Sequence, residues 1–517
     1  MQDTESLILP TGIIFLGISI LFHVFNRKKT SLAFLICAAF FLFLYASRLY
    51  PFLNVWDERF HALVAKNLMK HPLMPTLYDE PVVNMAYDDG WGSYHVWLHK
   101  QPLFMWQIAL SYKIFGVNEF ALRFPSVLLC CVMVYAGYRS GEILGNKNTA
   151  YYTGLLIATS AYLMKLVSGV AQLDQNDTSF VVYVSLSIWA WLEYRHTNKK
   201  GWFFLIGIFS GFAILCKWLV GLLVYLIWGI YSLQENKFQF KKYKNILLAV
   251  LVTVLVALPW QIFTLIQYSA EARNALVLNG KHFTEAVDGQ GGDFFYHFRL
   301  IGTLFGNLFP YLIIPAFIVF YFKTSNKKTC ISFFISIIAV YLFFSFAATK
   351  MSSFPIVVML PMFLAMAFLF DFIFAFLMKK AGPSEHINIK ILLLVVLLTI
   401  SFIRTDCRSL YTYHKFSDLD DGYAKWALSH NKKVFQNLNL PKTAVLFNVK
   451  HYVDAMYYTG LPAYKFVPSK EQYDDLCSKK RVIVIFKHGQ PEETDIPGYL
   501  TGDKRVILLN DTIIPCE

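Results

Sequence analysis

Apolar runs about twenty residues long recur along almost the whole chain, and they constrain its fold more than any other feature. A helix needs about 20 apolar residues to cross the hydrocarbon of a bilayer. Lipid offers no water to satisfy loose backbone groups, so such runs must be helical there. The candidate spans are Leu7–Phe25, Ser31–Leu53, Ala121–Tyr138, Thr149–Val167, Thr178–Tyr194, Gly201–Leu215, Leu219–Leu233, Asn245–Ile266, Arg299–Phe322, Ile331–Phe346, Phe354–Leu377 and Ile391–Ile403. The pattern predicts an α-helical polytopic membrane protein with about twelve transmembrane helices. Composition agrees: 56% of residues are hydrophobic and 16% charged, against roughly 45–50% and about 25% in soluble domains. The first run has no basic stretch before it and no small-residue cleavage site after it, so it reads as a retained span.

The charges between the runs orient the chain. Arg27, Lys28 and Lys29 follow the first span, Arg139 and Lys147 the third, and Arg195, Lys199 and Lys200 the fifth. Lys237, Lys241, Lys242 and Lys244 follow the seventh, Lys323, Lys327 and Lys328 the ninth, and Lys379 and Lys380 the eleventh. Every second loop is basic, which places those loops in the cytoplasm and both termini outside. The net charge of +13 is thereby accounted for. Nucleic acid is not an expected partner, because no basic stripe with interleaved aromatics lies outside the spans.

Three outer segments are longer than connectors need to be: 54–120, 267–298 and 406–517. Segments of that length usually carry function or form domains. The division expected is a membrane domain over 1–405 and an outer C-terminal domain over 406–517. The first segment is rich in Trp, Tyr and Phe, and Asp57–Met69 and Leu103–Phe115 read as helices lying on the membrane surface. In the C-terminal segment the period changes. Ala444–Phe447, Arg481–Phe486 and Arg505–Leu509 read as strands, and His451–Tyr458 and Glu471–Lys479 as helices, so a small soluble α/β domain is expected. Cys37, Cys130, Cys131, Cys216 and Cys330 read as small core residues. A disulfide among Cys407, Cys477 and Cys516 is open if that domain faces an oxidising compartment. No Cys/His pattern has metal spacing.

Ionisable residues at span ends are costly there and are functional suspects. Asp57 and Glu58 follow the second span, with Trp56 and His61 beside them. Asp174 and Asp177 follow the fourth. Taken singly, each pair could be a solvated edge, and Asp177 could be a helix N-cap. Lys100, Arg123, Lys217 and Lys350 fall on the same outer side, as do Lys281, His282, His297 and Arg299. Any one of these cations could snorkel. Gathered on the outer face, where Lys and Arg are scarce, they point to an anionic ligand such as a lipid-linked phosphate. Carboxylates beside phosphate-binding cations suit a reaction in which an acid takes a proton from an acceptor hydroxyl, while cations stabilise a departing phosphate.

At these residues the chain resembles the GT-C glycosyltransferases, in the branch that holds the bacterial aminoarabinose transferases of lipid A and the protein O-mannosyltransferases. Trp56-Asp57-Glu58 is similar to the family's acidic first-loop motif, and Leu173-Asp174 to its second. Lys100-Gln101-Pro102-Leu103 resembles a Lys-Pro-Pro-Leu element, with Gln101 in place of the first Pro. The run from Phe115 to Ser126 is the most specific match. Cys216-Lys217-Trp218 resembles a Lys-Gly turn with Trp218 in place of Gly, and Leu258-Pro259-Trp260 fits as well. Ser345 to Pro355 resembles the element that sets a Lys on the donor phosphate. The first span looks like an addition before the family's usual start, and Pro72 to His99 make an unusually long insert whose Tyr87-Asp88-Asp89-Gly90-Trp91-Gly92 stretch has no family equivalent. The C-terminal domain carries no family motif, although the aminoarabinose transferases also have an outer soluble domain, a fold-level analogy.

The resemblance implies a GT-C fold and an inverting transferase of the bacterial inner membrane, working on the periplasmic side. It would move a sugar from a polyprenyl-phosphate carrier to a lipid A-like lipid, a glycan or a protein. Asp57 is expected as the catalytic residue, with Glu58 in support and Asp174 as a second acid. Lys100, Arg123, Lys217, Arg299 and Lys350 are expected on the donor phosphate. Trp56, His61, Asp177, His282 and His297 are expected to line the substrate. No cofactor is expected; a divalent cation could sit at Asp57, Glu58 and His61, but the resemblance favours neutralisation by Lys and Arg. Two rivals remain: a transporter or flippase of lipid-linked sugars, which predicts charges at the bilayer midplane and internal repeats, and an inactive binding protein on the same fold.

Overall fold

The computed structural model describes residues 2–83, 92, 95–170, 173–236, 239, 243–380, 386–406, 419–487, 496–510 and 512–514. Helices α1 (Gln2–Val24) and α2 (Lys28–Ser47) form the first hairpin. The first long loop carries α3 (Asp57–Leu68) and α4 (Pro102–Phe115). Then follow α5 (Glu119–Leu144), α6 (Lys147–Ala158), α7 (Ala161–Ser168), α8 (Asn176–Thr197) and α9 (Lys200–Lys217). A 3-10 turn at Trp218–Leu222 leads into α10 (Leu223–Asn236). Next come α11 (Lys244–Gln267), α12 (Ser269–Thr284), α13 (Tyr296–Arg299), α14 (Ile301–Phe305) and α15 (Phe309–Lys323). The membrane region closes with α16 (Lys327–Phe346), α17 (Met359–Lys380) and α18 (His386–Arg404).

Among the described residues, eight helical stretches are long and apolar enough to cross a bilayer, and two shorter apolar helices accompany them. Every expected span overlaps helix, but the second ends at Ser47 rather than Leu53, and two others are interrupted. Thr149–Val167 breaks at Thr159 and Ser160, where the Ser160 hydroxyl caps α7. Arg299–Phe322 breaks at Gly306 to Leu308, with Gly306 at φ +125°. A broken helix frees carbonyls that lipid cannot satisfy. Arg404 reaches both breaks, donating to Leu156 O at 2.9 Å, to Thr159 Oγ1 at 3.3 Å and to Phe305 O at 2.6 Å. The charge-free look of these runs thus depends on a cation from the last span.

The C-terminal segment holds α19 (Leu419–Gln436), β1 (Ala444–Phe447), α20 (Tyr452–Thr459), α21 (Lys470–Ser478), β2 (Val482–Lys487) and β3 (Val506–Asn510). The expected strands and helices are all present, within a residue or two. The sheet has three strands in the order β1-β2-β3, all parallel, with Ala444 opposite Val482 and Ile483 opposite Val506. A parallel sheet needs cover on its faces. α20 packs against α3 and α19, and α21 against β2.

Two expectations change here. Leu63, Leu68, Ile108 and Tyr112 of the first loop share one apolar core with Val445, Val453, Tyr457 and Val484 of the C-terminal unit. The boundary at 405/406 therefore divides the chain but not the packing. α3 also does not lie bare on a membrane surface, because Ala62, Leu63, Val64, Ala65 and Leu68 are all buried. α4 buries Phe104, Ile108 and Tyr112 while Leu110 and Ile114 stay exposed, as an interfacial helix would. Cys407, Cys516 and residues 87–91 lie outside the described residues, and Cys477 is a free thiol.

Candidate active site

Helix α2 ends at Ser47, and an irregular stretch then carries the chain to Asp57, the first residue of α3. The carboxylates of Asp57 and Glu58 sit in the first turn of α3, where the helix dipole favours negative charge. Neighbours on a helix point about 100° apart, and these two part company completely.

Asp57 heads a chain of alternating charge. Lys100 Nζ donates to Asp57 Oδ2 at 3.2 Å and to Asp174 Oδ2 at 3.0 Å. Lys217 Nζ lies 3.4 Å from the same Asp174 oxygen and also bonds Asp177 Oδ1. Asp174 and Asp177 are sealed at 0% and 2% side-chain exposure, whereas Asp57, Lys100 and Lys217 keep 13%, 15% and 23%. Three carboxylates are thus interleaved with two ammonium groups, and the accessible end is Asp57 with the two lysines.

Local structure brings these residues together. Asp174 Oδ1 accepts from Asn176 N at 3.0 Å, which starts α8 beside it. Asn176 Nδ2 donates to Cys216 O at 2.8 Å, tying the start of α8 to the end of α9 and thus to Lys217. The turn after Lys217 is tight, with Ser210 Oγ on Gly221 O at 2.7 Å. Burial would raise the Asp174 carboxyl, but Lys100, Lys217 and His61 outweigh it and hold Asp174 well below the usual carboxylate range. Burial would lower Lys100, yet Asp174 and Asp57 more than compensate, and its ammonium is held above the usual value. His61 is fully buried, 4.0 Å from Asp174 Oδ1, and burial pushes its imidazole below the usual value.

Glu58 goes the other way, into a sealed clamp with Arg123. The Arg123 Nε and Nη2 donate to the two Glu58 oxygens at 2.7 and 2.9 Å. Its remaining donors go to Ser47 O, Tyr50 O and Phe52 O at 3.2, 2.6 and 2.9 Å. A guanidinium has five N–H groups, and all are used. Arg123 was expected on a donor phosphate; it has no donor left for one, since the irregular stretch after α2 takes them. Gly169, at φ +70°, lets Glu58 pass, because a Cβ there would overlap the carboxylate.

Lys350 sits in the loop after α16. That loop lies at the same end as the acids: Ser352 Oγ is 3.3 Å from Tyr162 OH, and Lys217 Nζ stands 5.4 Å over the Phe354 ring. Lys350 Nζ itself donates to Phe344 O, Ser345 O and Ala347 O at 3.0, 2.7 and 2.5 Å. Its three protons close the end of α16, so this expected phosphate ligand is also occupied. Arg299 pairs with Asp293 at 2.9 Å on an exposed surface. His297 Nε2 is 3.1 Å from Met351 O, and His282 O accepts from Thr349 N at 3.0 Å. Both thus brace the loop that holds Lys350. Trp56 is 40% exposed and has φ +76°, an unusual value for a bulky residue.

Sequence reasoning passed over Asn54, Arg59, Glu119, Lys432, Asp454 and Tyr458. Asn54 N donates to Glu58 Oε2 at 2.7 Å. Glu119 and Arg123 are four apart on α5, so a shared helical face was a visible signal. The pair of Arg59 with Asp454, at 3.3 Å, carried no signal of this kind.

The family model described as dolichyl-phosphate-mannose-protein mannosyltransferase matches residues 99–263, which include Lys100, Arg123, Asp174, Asp177 and Lys217. A protein of Aquifex aeolicus with no assigned function is 28% identical over 70% of this chain and 66% of its own length. The undecaprenyl phosphate-alpha-4-amino-4-deoxy-L-arabinose arabinosyl transferase 2 of Pseudomonas fluorescens is 26% identical over 36% of this chain. The match spans about a third of that relative, 35%. The crystal structure of ArnT from Cupriavidus metallidurans bound to undecaprenyl phosphate superposes with TM-score 0.59 at 16% identity, covering 88% of this chain and 89% of that one. The oligosaccharyltransferase of Archaeoglobus fulgidus gives TM-score 0.52 at 10% identity, over 84% and 64%. At such identities the solved structures speak for the fold alone. This integral membrane chain thus shares the fold of the solved GT-C transferases, and over part of its length it is similar in sequence to the aminoarabinose and protein mannosyl transferases.

Proposed function

We propose that the protein is a membrane glycosyltransferase that moves a sugar from a polyprenyl-phosphate carrier to an acceptor, with inversion, on the periplasmic face of a bacterial inner membrane. The observation that carries this reading is the alternating chain Asp57–Lys100–Asp174–Lys217–Asp177. Asp57 takes the proton of an acceptor hydroxyl as that oxygen attacks the anomeric carbon. Lys100 and Lys217 meet the charge that builds on the departing phosphate, and Asp174 keeps both ammonium groups ionised and in place. The reaction uses no metal, since the two lysines stand between the carboxylates where a cation would otherwise be held. The relatives named for undecaprenyl-phosphate-linked aminoarabinose support the carrier class. A lipid, a glycan or a protein could be the acceptor.

The site lies at helix ends, with Asp57 opening α3 and Lys217 closing α9. That favours an enzyme at a water–lipid boundary over a carrier with charges in mid-membrane. Incubating the purified protein with a panel of polyprenyl-phosphate sugars, and following release of the free carrier phosphate, tests the reading. Release with at least one donor, abolished by Asp57→Asn, is expected. No release with any donor removes the proposal.

A further inference from the structure

The stretch that delivers Asp57 makes few regular backbone bonds of its own, and the C-terminal unit grips it from both sides. Before Asp57, Lys432 Nζ of α19 donates to Pro51 O at 2.6 Å, and Leu53 N donates to Tyr458 OH of α20 at 3.0 Å. Both groups are locked to the membrane region through one carboxylate, since Tyr458 OH and Lys432 Nζ reach Glu119 Oε1 at 2.8 and 2.7 Å. After Asp57, the Arg59 guanidinium lies 3.3 Å from Asp454 Oδ2 and 3.2 Å from His451 Nδ1, with Arg59 and Asp454 both only 7% exposed. Between these anchors Trp56 holds φ +76°. Such a backbone persists in a bulky residue only where its surroundings leave no alternative.

Cohesion alone would not need this arrangement. The apolar core shared by α3, α4 and the sheet already joins the two units. The contacts of Lys432 and Tyr458 reach the main chain of the stretch that ends at Asp57. We propose that the C-terminal α/β unit is a positioning element, and that Tyr458 and Lys432 set where the Asp57 carboxylate stands relative to Lys100. This rests on the transferase reading above. It gives the C-terminal unit a role in the reaction although none of the charges in the alternating chain comes from it.

The test compares two variants of the full-length protein. Tyr458→Phe/Lys432→Met removes the grip on the turn and keeps the apolar bodies of both side chains. Tyr464→Phe loosens the same interface elsewhere, where Tyr464 OH accepts from Val82 N at 3.2 Å and Val83 N at 3.3 Å. Misplacing a reacting group by about 1 Å can cost up to about a hundredfold in rate. The first variant should lose about tenfold in kcat with KM for the donor within about twofold. Its amide exchange over residues 50–60 should accelerate, because that segment would open locally. Tyr464→Phe should shift Tm at least as much while keeping kcat, and Lys432→Arg should retain activity. Unchanged kcat in the first variant, or losses in both variants that follow Tm alone, would overturn the inference. If the wild type transfers nothing, the transferase reading falls by itself. The exchange data still decide the grip: faster exchange over 50–60 supports it and unchanged exchange overturns it.

Discussion

The two ionic groupings that start from neighbouring residues are built on opposite plans. Glu58 and Arg123 form a closed pair at 2% and 0% side-chain exposure, with every guanidinium donor assigned. Asp57, Lys100 and Lys217 stay partly open, and the two lysines share their protons among several carboxylate oxygens. An Arg fork suits a fixed planar arrangement, whereas an ammonium is a compact charge that can be re-aimed as a ligand arrives. The choice of cation therefore separates a clamp from a site more clearly than the acids do, since Asp57 and Glu58 are chemically alike.

Stability offers the most forceful way to break this comparison. Removing one partner of a buried pair leaves an uncompensated charge and costs about 3–5 kcal/mol. Arg123→Met should therefore lower Tm sharply or stop the protein accumulating in membranes. Folded, heat-resistant and active Arg123→Met protein would mean that the clamp is not structural. Next comes activity. Asp57→Asn should fold normally and lose about 10²–10⁴-fold in transfer rate, the usual worth of a general base. Its pH–rate profile sharpens the reading: loss of the acid limb fits proton removal, while an equal loss at every pH fits positioning of an acceptor that is already ionised. A loss below about tenfold would take Asp57 out of the chemistry.

A smaller effect should appear in the pH dependence of stability. Asp174 is held below its ordinary value, so its contribution is fully present above about pH 4 and declines as acid protonates it in the folded state. Wild type should therefore exceed Asp174→Asn in Tm at neutral pH, and the gap should narrow as the pH falls below about 4. Tm curves from neutral to acid pH would show it. A gap of constant size would mean that Lys100 and Lys217 do not depend on the Asp174 charge.

Much of the site was legible because costly residues at span ends stand out against a greasy background. Asp57, Asp174, Asp177 and Lys217 were visible that way, and Lys100 as a cation on the outer side where Lys is scarce; the structure draws them into one chain. Arg123 and Lys350 were equally visible, yet their protons go to backbone carbonyls of the stretch after α2 and of the end of α16. A carbonyl is present at every residue, so no pattern of side chains marks which ones will be left unsatisfied. The same blindness hid the two broken spans, because the cation that repairs them, Arg404, lies some 100 residues beyond the second break and some 250 beyond the first.

Hydropathy settled the membrane architecture and its helical content, since apolar length and the cost of unpaired backbone in lipid are properties of the chain itself. Short β-rich runs likewise announced the C-terminal strands. Only the tertiary structure decided that α3 is roofed by that C-terminal unit, that Glu58 and Asp57 belong to different groupings, and which cations remain free to meet a ligand. Those outcomes turn on which donor finds which acceptor first, and such pairings are fixed by distances between elements that the linear order does not contain.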